Sequence, residues 1–295
     1  MRKLLLGAHE SIAGGVEKAL ARGKQVGCDT IQIFVKSPNR WVSKPLAERN
    51  ILAFKEAVAE TGIWPVFAHA LYLINLATPD DTLWHKSLDA LTDDLERCEM
   101  LGLPGLVIHP GSHRGAGEAM GLARISAALD KVHARLPGYN VQIWLEITAG
   151  QGDHLGYTFE QLRAMIDGVR EPERLGVCFD TAHAFAAGYE LRDREGYEAT
   201  WAAFDKVLGL DRLRAIHLND SKKGLGSRID RHEHIGKGML GLEPFRFLVN
   251  DPRFRGLPMT LETDKGPDLA EDKENLAVLR SLVKNVGLSP ETHPA

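Results

Sequence analysis

Histidines and carboxylates recur in this sequence at one kind of place. His9, His69, His109, Glu146, Asp180, His217 and Glu262 each follow a short apolar or β-branched run. A single histidine there is usually a hydrogen-bonded loop residue, but seven equivalent positions point to a shared site. Two further clusters sharpen this. Asp180-Thr181-Ala182-His183 sets a carboxylate and an imidazole three residues apart, and Asp230-Arg231-His232 sets a second pair two apart. On an extended loop, residues two apart face the same way, so both can bind one ion. Imidazoles and carboxylates without cysteine form a hard-to-borderline donor set that suits zinc, with manganese or iron as alternatives at one position. The candidate ligands are His69, His109, Glu146, Asp180, His183, His217, Asp230, His232 and Glu262. Zinc normally takes about four ligands, so this set suits two or three ions sharing a bridging carboxylate.

Such ligands must be brought together by the elements that carry them. The apolar runs cover residues 4–8, 30–34, 64–68, 106–108, 141–145, 176–179, 213–216 and 258–261. They recur roughly every 35 residues, with helical apolar spacing between them. The clearest helical patterns fall at 82–101, 122–136, 160–169 and 269–283. Alternating strands and helices imply a parallel sheet with helices outside. Eight such units in 295 residues imply an α/β fold, a single closed (β/α)8 TIM barrel with chemistry at the C-terminal ends of the strands. Only the second run breaks the series of ligands, because Phe34 leads on to Lys36 and Ser37. No Pro-, Gly- or Ser-rich linker divides the chain, so residues 1–288 are expected to form one domain. Residues 289–295 lack apolar periodicity and read as a frayed tail.

Composition narrows the class. Apolar residues make up 44% and charged residues 26%, which excludes a disordered or fibrous chain. No apolar stretch approaches the roughly 18 residues of a membrane span, and the N-terminal apolar run is too short for a signal peptide. Cys28, Cys98 and Cys178 are too dispersed for a disulfide framework or a cysteine zinc knuckle. A monomeric, cytoplasmic protein without membrane partners is expected. The formal net charge of −4 at first argues against a nucleic-acid partner.

Longer motifs change that view. They are Gly7-Ala8-His9, His69-Ala70-Leu71-Tyr72-Leu73-Ile74-Asn75-Leu76, His109-Pro110-Gly111-Ser112-His113 and Glu146-Ile147-Thr148-Ala149-Gly150-Gln151-Gly152. Residues 176–189 follow, around Asp180-Thr181-Ala182-His183. Residues 217–222 and 226–232 come next, around Asp230-Arg231-His232, and the series closes on Leu261-Glu262-Thr263. In content and order, over almost the whole chain, these segments resemble the endonuclease IV family of apurinic/apyrimidinic (AP) endonucleases.

The resemblance implies three zinc ions at the mouth of the barrel. His69, His109 and Glu146 would hold the first. Glu146 would bridge to a second, held also by Asp180, His217 and Glu262, while His183, Asp230 and His232 would hold the third. His232, rather than neighbouring His234, matches the family's Asp-Arg-His. Two positions depart from the pattern. Ile147 stands where an Asn is common, and Asn39 where some members carry a DNA-probing Arg, with Arg40 the candidate to replace it. His9 and His113 are expected in the outer shell.

The implied reaction is hydrolysis of the phosphodiester 5′ to an abasic site in duplex DNA, leaving a 3′-hydroxyl and a 5′-deoxyribose phosphate. Cleaning of blocked 3′ ends is implied as well. Two zinc ions about 3.5–4 Å apart generate a nucleophile near neutral pH. Glu146 would set their separation, Glu262 would orient the nucleophile, and the third ion would hold the leaving 3′-oxygen. Tyr72 is the candidate wedge into the minor groove, with Arg40 and Trp41 a second set. Lys222, Lys223, Arg228 and Arg231 share one loop and are candidates for phosphate contacts. Three divalent ions would bring the formal −4 to about +2, which removes the objection from charge. Two rival readings are a metal-dependent sugar isomerase or epimerase on the same barrel, and a DNA-binding barrel with structural zinc. The ligands His69, His109, His183, Asp230 and His232 exceed what the first would use. Convergence on the barrel mouth argues against the second.

Overall fold

The computed structural model describes residues 3–38 and 40–284. Asn39 and the tail at 289–295 lie outside the described residues. The barrel strands are β1 (Leu5–Glu10), β2 (Thr30–Phe34), β3 (Val66–His69), β4 (Gly105–Ile108), β5 (Gln142–Glu146), β6 (Leu175–Asp180), β7 (Leu213–His217) and β10 (Pro258–Leu261). They close in the order β1-β10-β7-β6-β5-β4-β3-β2, with every neighbouring pair parallel. Each apolar run expected to be a strand is one, with ends displaced by at most two residues.

The helices are α1 (Lys18–Val26), α2 (Glu48–Thr61), α3 (Asp81–Leu101), α4 (Glu118–Arg135), α5 (Phe159–Asp167), α6 (Thr181–Ala187), α7 (Arg194–Val207), α8 (Glu243–Asn250) and α9 (Ala270–Ser281). Helix α4 begins earlier than its apolar spacing suggests. Its first residues, Glu118, Ala119 and Met120, are exposed, so they carry no core-facing signal. Side-chain caps fix several starts: Asp80 accepts from Leu83 N, Thr158 from Gln161 N and Asp193 from Gly196 N. No described helix is long and apolar enough to cross a membrane, and the three cysteines are free and buried.

The large buried side chains of the outer core, among them Phe54, Phe159, Phe179, Tyr197, Trp201 and Phe204, anchor the helical shell to the sheet. A second, separate apolar cluster consists of Phe67, Val107, Trp144, Cys178 and Ala215. Each of these precedes a candidate ligand by two residues along its strand: His69, His109, Glu146, Asp180 and His217. Alternation along a strand puts residues two apart on one face, so the ligands form a layer directly above a dry plug. Gly105 and Gly176 make room for that plug, since a Cβ on Gly105 would fall 2.0 Å from Trp144 and one on Gly176 2.8 Å from it.

The segment after β7 turns back as a small antiparallel hairpin, β8 (Asp220–Ser221) with β9 (His232–Glu233). Buried Asp220 pins it by accepting from the backbone N–H groups of Ser221, Gly238, Leu240 and Gly241. This carries Asp230 and His232 back over the mouth.

Candidate metal centre

Glu146 stands at the centre of the layer, fully buried. Its Oε2 lies 3.1 Å from His69 Nε2 and 3.1 Å from His109 Nε2. Its Oε1 lies 3.0 Å from His217 Nδ1 and 3.1 Å from His183 Nδ1. One carboxylate thus faces three imidazoles from the ends of β3, β4 and β7 and a fourth from the first turn of α6, which is the position a bridging ligand requires. Three groups have ligating atoms within 4.8 Å of one another: His69, His109 and Glu146; Glu146, Asp180, His217 and Glu262; and Asp180, His183 and His232.

The third group includes Asp180, which sequence reading placed only with the second. Asp180 is the N-cap of α6, its Oδ1 accepting from His183 N at 2.7 Å, while its Oδ2 lies 3.7 Å from His232 Nε2. The expected pairing of Asp230 with these imidazoles is also present. Asp230 Oδ1 is 3.2 Å from His183 Nε2 and 3.6 Å from His232 Nε2.

The chemistry of this donor set fits metal ions. His69 donates Nδ1–H to the Ala70 carbonyl at 2.7 Å, so Nε2 is the nitrogen that faces Glu146 and is left to bind a metal once deprotonated. His183 donates Nδ1–H to the Ile147 carbonyl at 3.0 Å and turns Nε2 toward Asp230 and His232. Imidazole nitrogens and carboxylate oxygens converge, and a cation between them, taking the place of the shared protons, satisfies them together. Burial alone would raise the pKa of Glu146 and Glu262. The adjacent imidazoles, His217 foremost, instead hold both well below the carboxylate range. Burial would lower His183 and His217, but neighbouring acidic groups, Asp180 for His183 and Glu262 and Glu146 for His217 among them, raise both well above the ordinary value.

Ile147 does not disturb this arrangement. Its backbone carbonyl receives His183 whatever side chain it bears, and the side chain itself is buried in the core. Of the two histidines expected in the outer shell, His9 lies 3.8 Å from Glu262 Oε1 through Nδ1. His113 faces elsewhere: its Nδ1 accepts from Gly117 N and its Nε2 is 4.0 Å from Asp153. His234 is held by Asn275 Nδ2 at 3.0 Å, apart from the ligand groups.

Two residues escaped sequence reading. Asn219 donates to Asp180 Oδ2 at 2.6 Å and accepts from Glu262 N at 2.8 Å, tying β6 to the end of β10. Gln32 fills the place that β2 had left open. Its amide lies 2.5 Å from Glu262 Oε1, 2.8 Å from His9 Nδ1 and 2.7 Å from His217 Nε2. An amide inside a strand carries no sequence signal of a site. Its position two residues before Phe34, on the face that its neighbours use for ligands, is the one clue.

Above the layer opens a cleft of about 330 Å³, lined by His69, His109, His183, Asp230, His232 and Glu262 and rimmed by Tyr72, Lys222, Arg231 and Asp264. Tyr72 is 64% exposed, with its ring 5.6 Å from Phe34 and 5.5 Å from His69. Arg228 adopts φ 54° and packs over the Tyr157 ring at 4.1 Å. Lys223 and Arg40 are exposed. Trp41 is half-buried against the core, with the Lys86 ammonium 4.5 Å from its ring centre.

Comparison with known proteins identifies the family and the fold. A family model described as a xylose isomerase-like TIM barrel matches residues 20–282. A probable endonuclease 4 of Chloroflexus aurantiacus is 54% identical over 278 residues, covering 94% of this chain and 98% of that relative. The crystal structure of endonuclease IV from Thermus thermophilus matches with a TM-score of 0.83 at 37% identity, covering 94% of this chain and 98% of that one. A D-tagatose 3-epimerase-like protein matches at TM-score 0.70 and 18% identity, covering 95% and 98%, a likeness of fold alone.

Proposed function

The chain belongs to the endonuclease IV family of xylose isomerase-like TIM barrels, and we propose that it is a DNA-repair endonuclease that hydrolyses the phosphodiester 5′ to an abasic site in duplex DNA. The products are a 3′-hydroxyl and a 5′-deoxyribose phosphate, and the same chemistry removes blocking groups from 3′ ends. The observation that carries this reading is the single buried carboxylate of Glu146, faced by four imidazoles beneath a rim of Tyr72, Lys222 and Arg231.

His69, His109 and Glu146 would hold one zinc ion, and Glu146, Asp180, His217 and Glu262 a second. His183, Asp230 and His232, with Asp180 beside them, would hold a third. When bound, the ions supply Lewis acidity that offsets the charge of the phosphate and makes water nucleophilic near neutral pH. The side chains do the rest. Glu262, held by Gln32 and by the Asn219 contact to its backbone N–H, orients the nucleophile for in-line attack. Lys222 and Arg231 draw the flanking phosphates to the cleft. An abasic nucleotide lacks base stacking and is extruded at low cost, and exposed Tyr72 fills the gap it leaves. Cations at the rim govern DNA attraction more than the whole-chain charge does.

The test is nicking of a duplex with one tetrahydrofuran abasic analogue, which cannot undergo β-elimination. Cleavage on the 5′ side leaving a 3′-hydroxyl is expected. His69→Ala and Glu262→Gln should each lower the rate by about 100-fold or more, the scale set by loss of one charge-stabilising group. No cleavage by protein carrying its full metal complement would refute the reading and favour the sugar isomerase, to be assayed with ketoses and aldoses.

A further inference from the structure

The directions of the hydrogen bonds at Gln32 can be assigned from chemistry alone. Glu262 Oε1, 2.5 Å away, is a carboxylate oxygen that only accepts, so the amide nitrogen of Gln32 faces it. The amide oxygen then faces His217 Nε2 at 2.7 Å, and that nitrogen must carry the hydrogen. The remaining amide hydrogen points to His9 Nδ1 at 2.8 Å, which accepts with its lone pair. The opposite amide orientation would set oxygen against carboxylate oxygen.

We propose that Gln32 is a positioning residue of the metal centre: its amide fixes His217 with hydrogen on Nε2 and the Nδ1 lone pair toward the ligand cluster, and it simultaneously holds Glu262. The inference rests on the metal-dependent reading of the site. Nδ1 of His217 lies 3.0 Å from Glu146 Oε1, 3.1 Å from Glu262 Oε2 and 3.7 Å from Asp180 Oδ2. Only the tautomer bearing hydrogen on Nε2 presents a metal-binding lone pair there. The second ligand group therefore depends on a donor–acceptor pattern that an amide alone supplies. A carboxylate at position 32 accepts from His217 but cannot donate to Glu262. An apolar side chain does neither. Gln32 is fully buried, so water does not replace it freely. Partners of this kind typically tune metal affinity by about 10- to 100-fold.

The test uses the full-length protein. Zinc affinity is measured by competition with a chromogenic chelator, and imidazole tautomers are read from long-range ¹H–¹⁵N spectra of the metal-free and zinc-loaded protein. In the wild type, His217 should carry its hydrogen on Nε2 in the zinc-loaded form; hydrogen on Nδ1 overturns the proposal without recourse to any variant. Gln32→Leu should weaken the tightest affected zinc step by about 10- to 100-fold. Gln32→Glu should keep the His217 tautomer yet also weaken zinc binding, because Glu262 loses its donor. Wild-type affinity in both folded variants overturns the role of Gln32 and leaves the metal reading intact. Wild-type protein that takes up no zinc overturns the metal reading, and this role with it.

Discussion

At the scale of single residues, the centre is a balance between protons and metal. His183 and His217 hold protons tightly in the metal-free protein, because acidic neighbours outweigh burial and raise both pKa values. His69 is raised as well, with Glu146 overcoming the effect of burial. Metal binding needs neutral imidazoles, so zinc must displace those protons. Zinc uptake is therefore expected to release protons even at about pH 7.5, and affinity should fall as the pH drops. Calorimetry in buffers of different ionisation enthalpy measures the release; a heat independent of buffer would contradict it. Six of the nine ligand candidates stand out in the sequence because they follow apolar runs, and His183, Asp230 and His232 because they fall in short clusters of His and carboxylate. Gln32 and Asn219 were not, since amides are common and their importance lies in partners from distant strands.

At the scale of elements, the loop after β2 is tied down by a buried ion cluster. The Lys36 ammonium, whose side chain is fully buried, lies 2.6 Å from Asp93, 3.0 Å from Asp94 and 3.1 Å from the Ala90 carbonyl, all on α3. Arg97 of the same helix donates to the carbonyls of Ser43 at 3.2 Å and Lys44 at 2.9 Å. The loop that carries Arg40 and Trp41 is thus held at both ends. Burial raises the Asp94 carboxyl to about 6 even with Lys36 beside it. Removing the cation alone leaves that carboxylate buried and unpaired, which typically costs about 3–5 kcal/mol. Lys36→Met should lower stability by that amount in urea unfolding, and adding Asp94→Leu should restore most of it. An unchanged midpoint for Lys36→Met would show that the pair contributes nothing. In the sequence Lys36 looked like a break in the ligand series. Its function is structural, and only the approach of α3 to the β2 loop reveals that.

Across the whole molecule, two stability effects follow. Glu146, Asp180 and Glu262 are drawn together at the barrel mouth, and a ligand that binds only the folded state stabilises it by mass action. Chelation should therefore lower the melting temperature by about 10 °C, and added zinc should restore it. A chelator-insensitive melting curve would argue against metal at this centre. Glu10 lies buried in β1, neither carboxylate oxygen hydrogen-bonded among the described residues, and burial raises it from 4.5 to about 7. The folded state then keeps this proton where the unfolded chain loses it. Its contribution to stability is present below pH 4.5 and lost as pH rises through 7. Metal-free Glu10→Gln should lose less stability than metal-free wild type between about pH 5 and pH 8 in denaturant titrations.

The sequence by itself determined the barrel and most of its mouth. Strand periodicity and ligand spacing are local, and a closed ring of parallel strands leaves little freedom once eight units are counted. It also placed five of the ligand residues at the strand ends, because alternation sets His69, His109, Glu146, Asp180 and His217 two residues beyond Phe67, Val107, Trp144, Cys178 and Ala215. Only the tertiary structure decided that Asp180 reaches both the second and third groups, that His113 turns toward Asp153, and that Trp41 packs under Lys86. Those outcomes depend on which way side chains from separate strands and loops point once the ring has closed. Distances between such groups are fixed by stagger and packing, which no local pattern encodes.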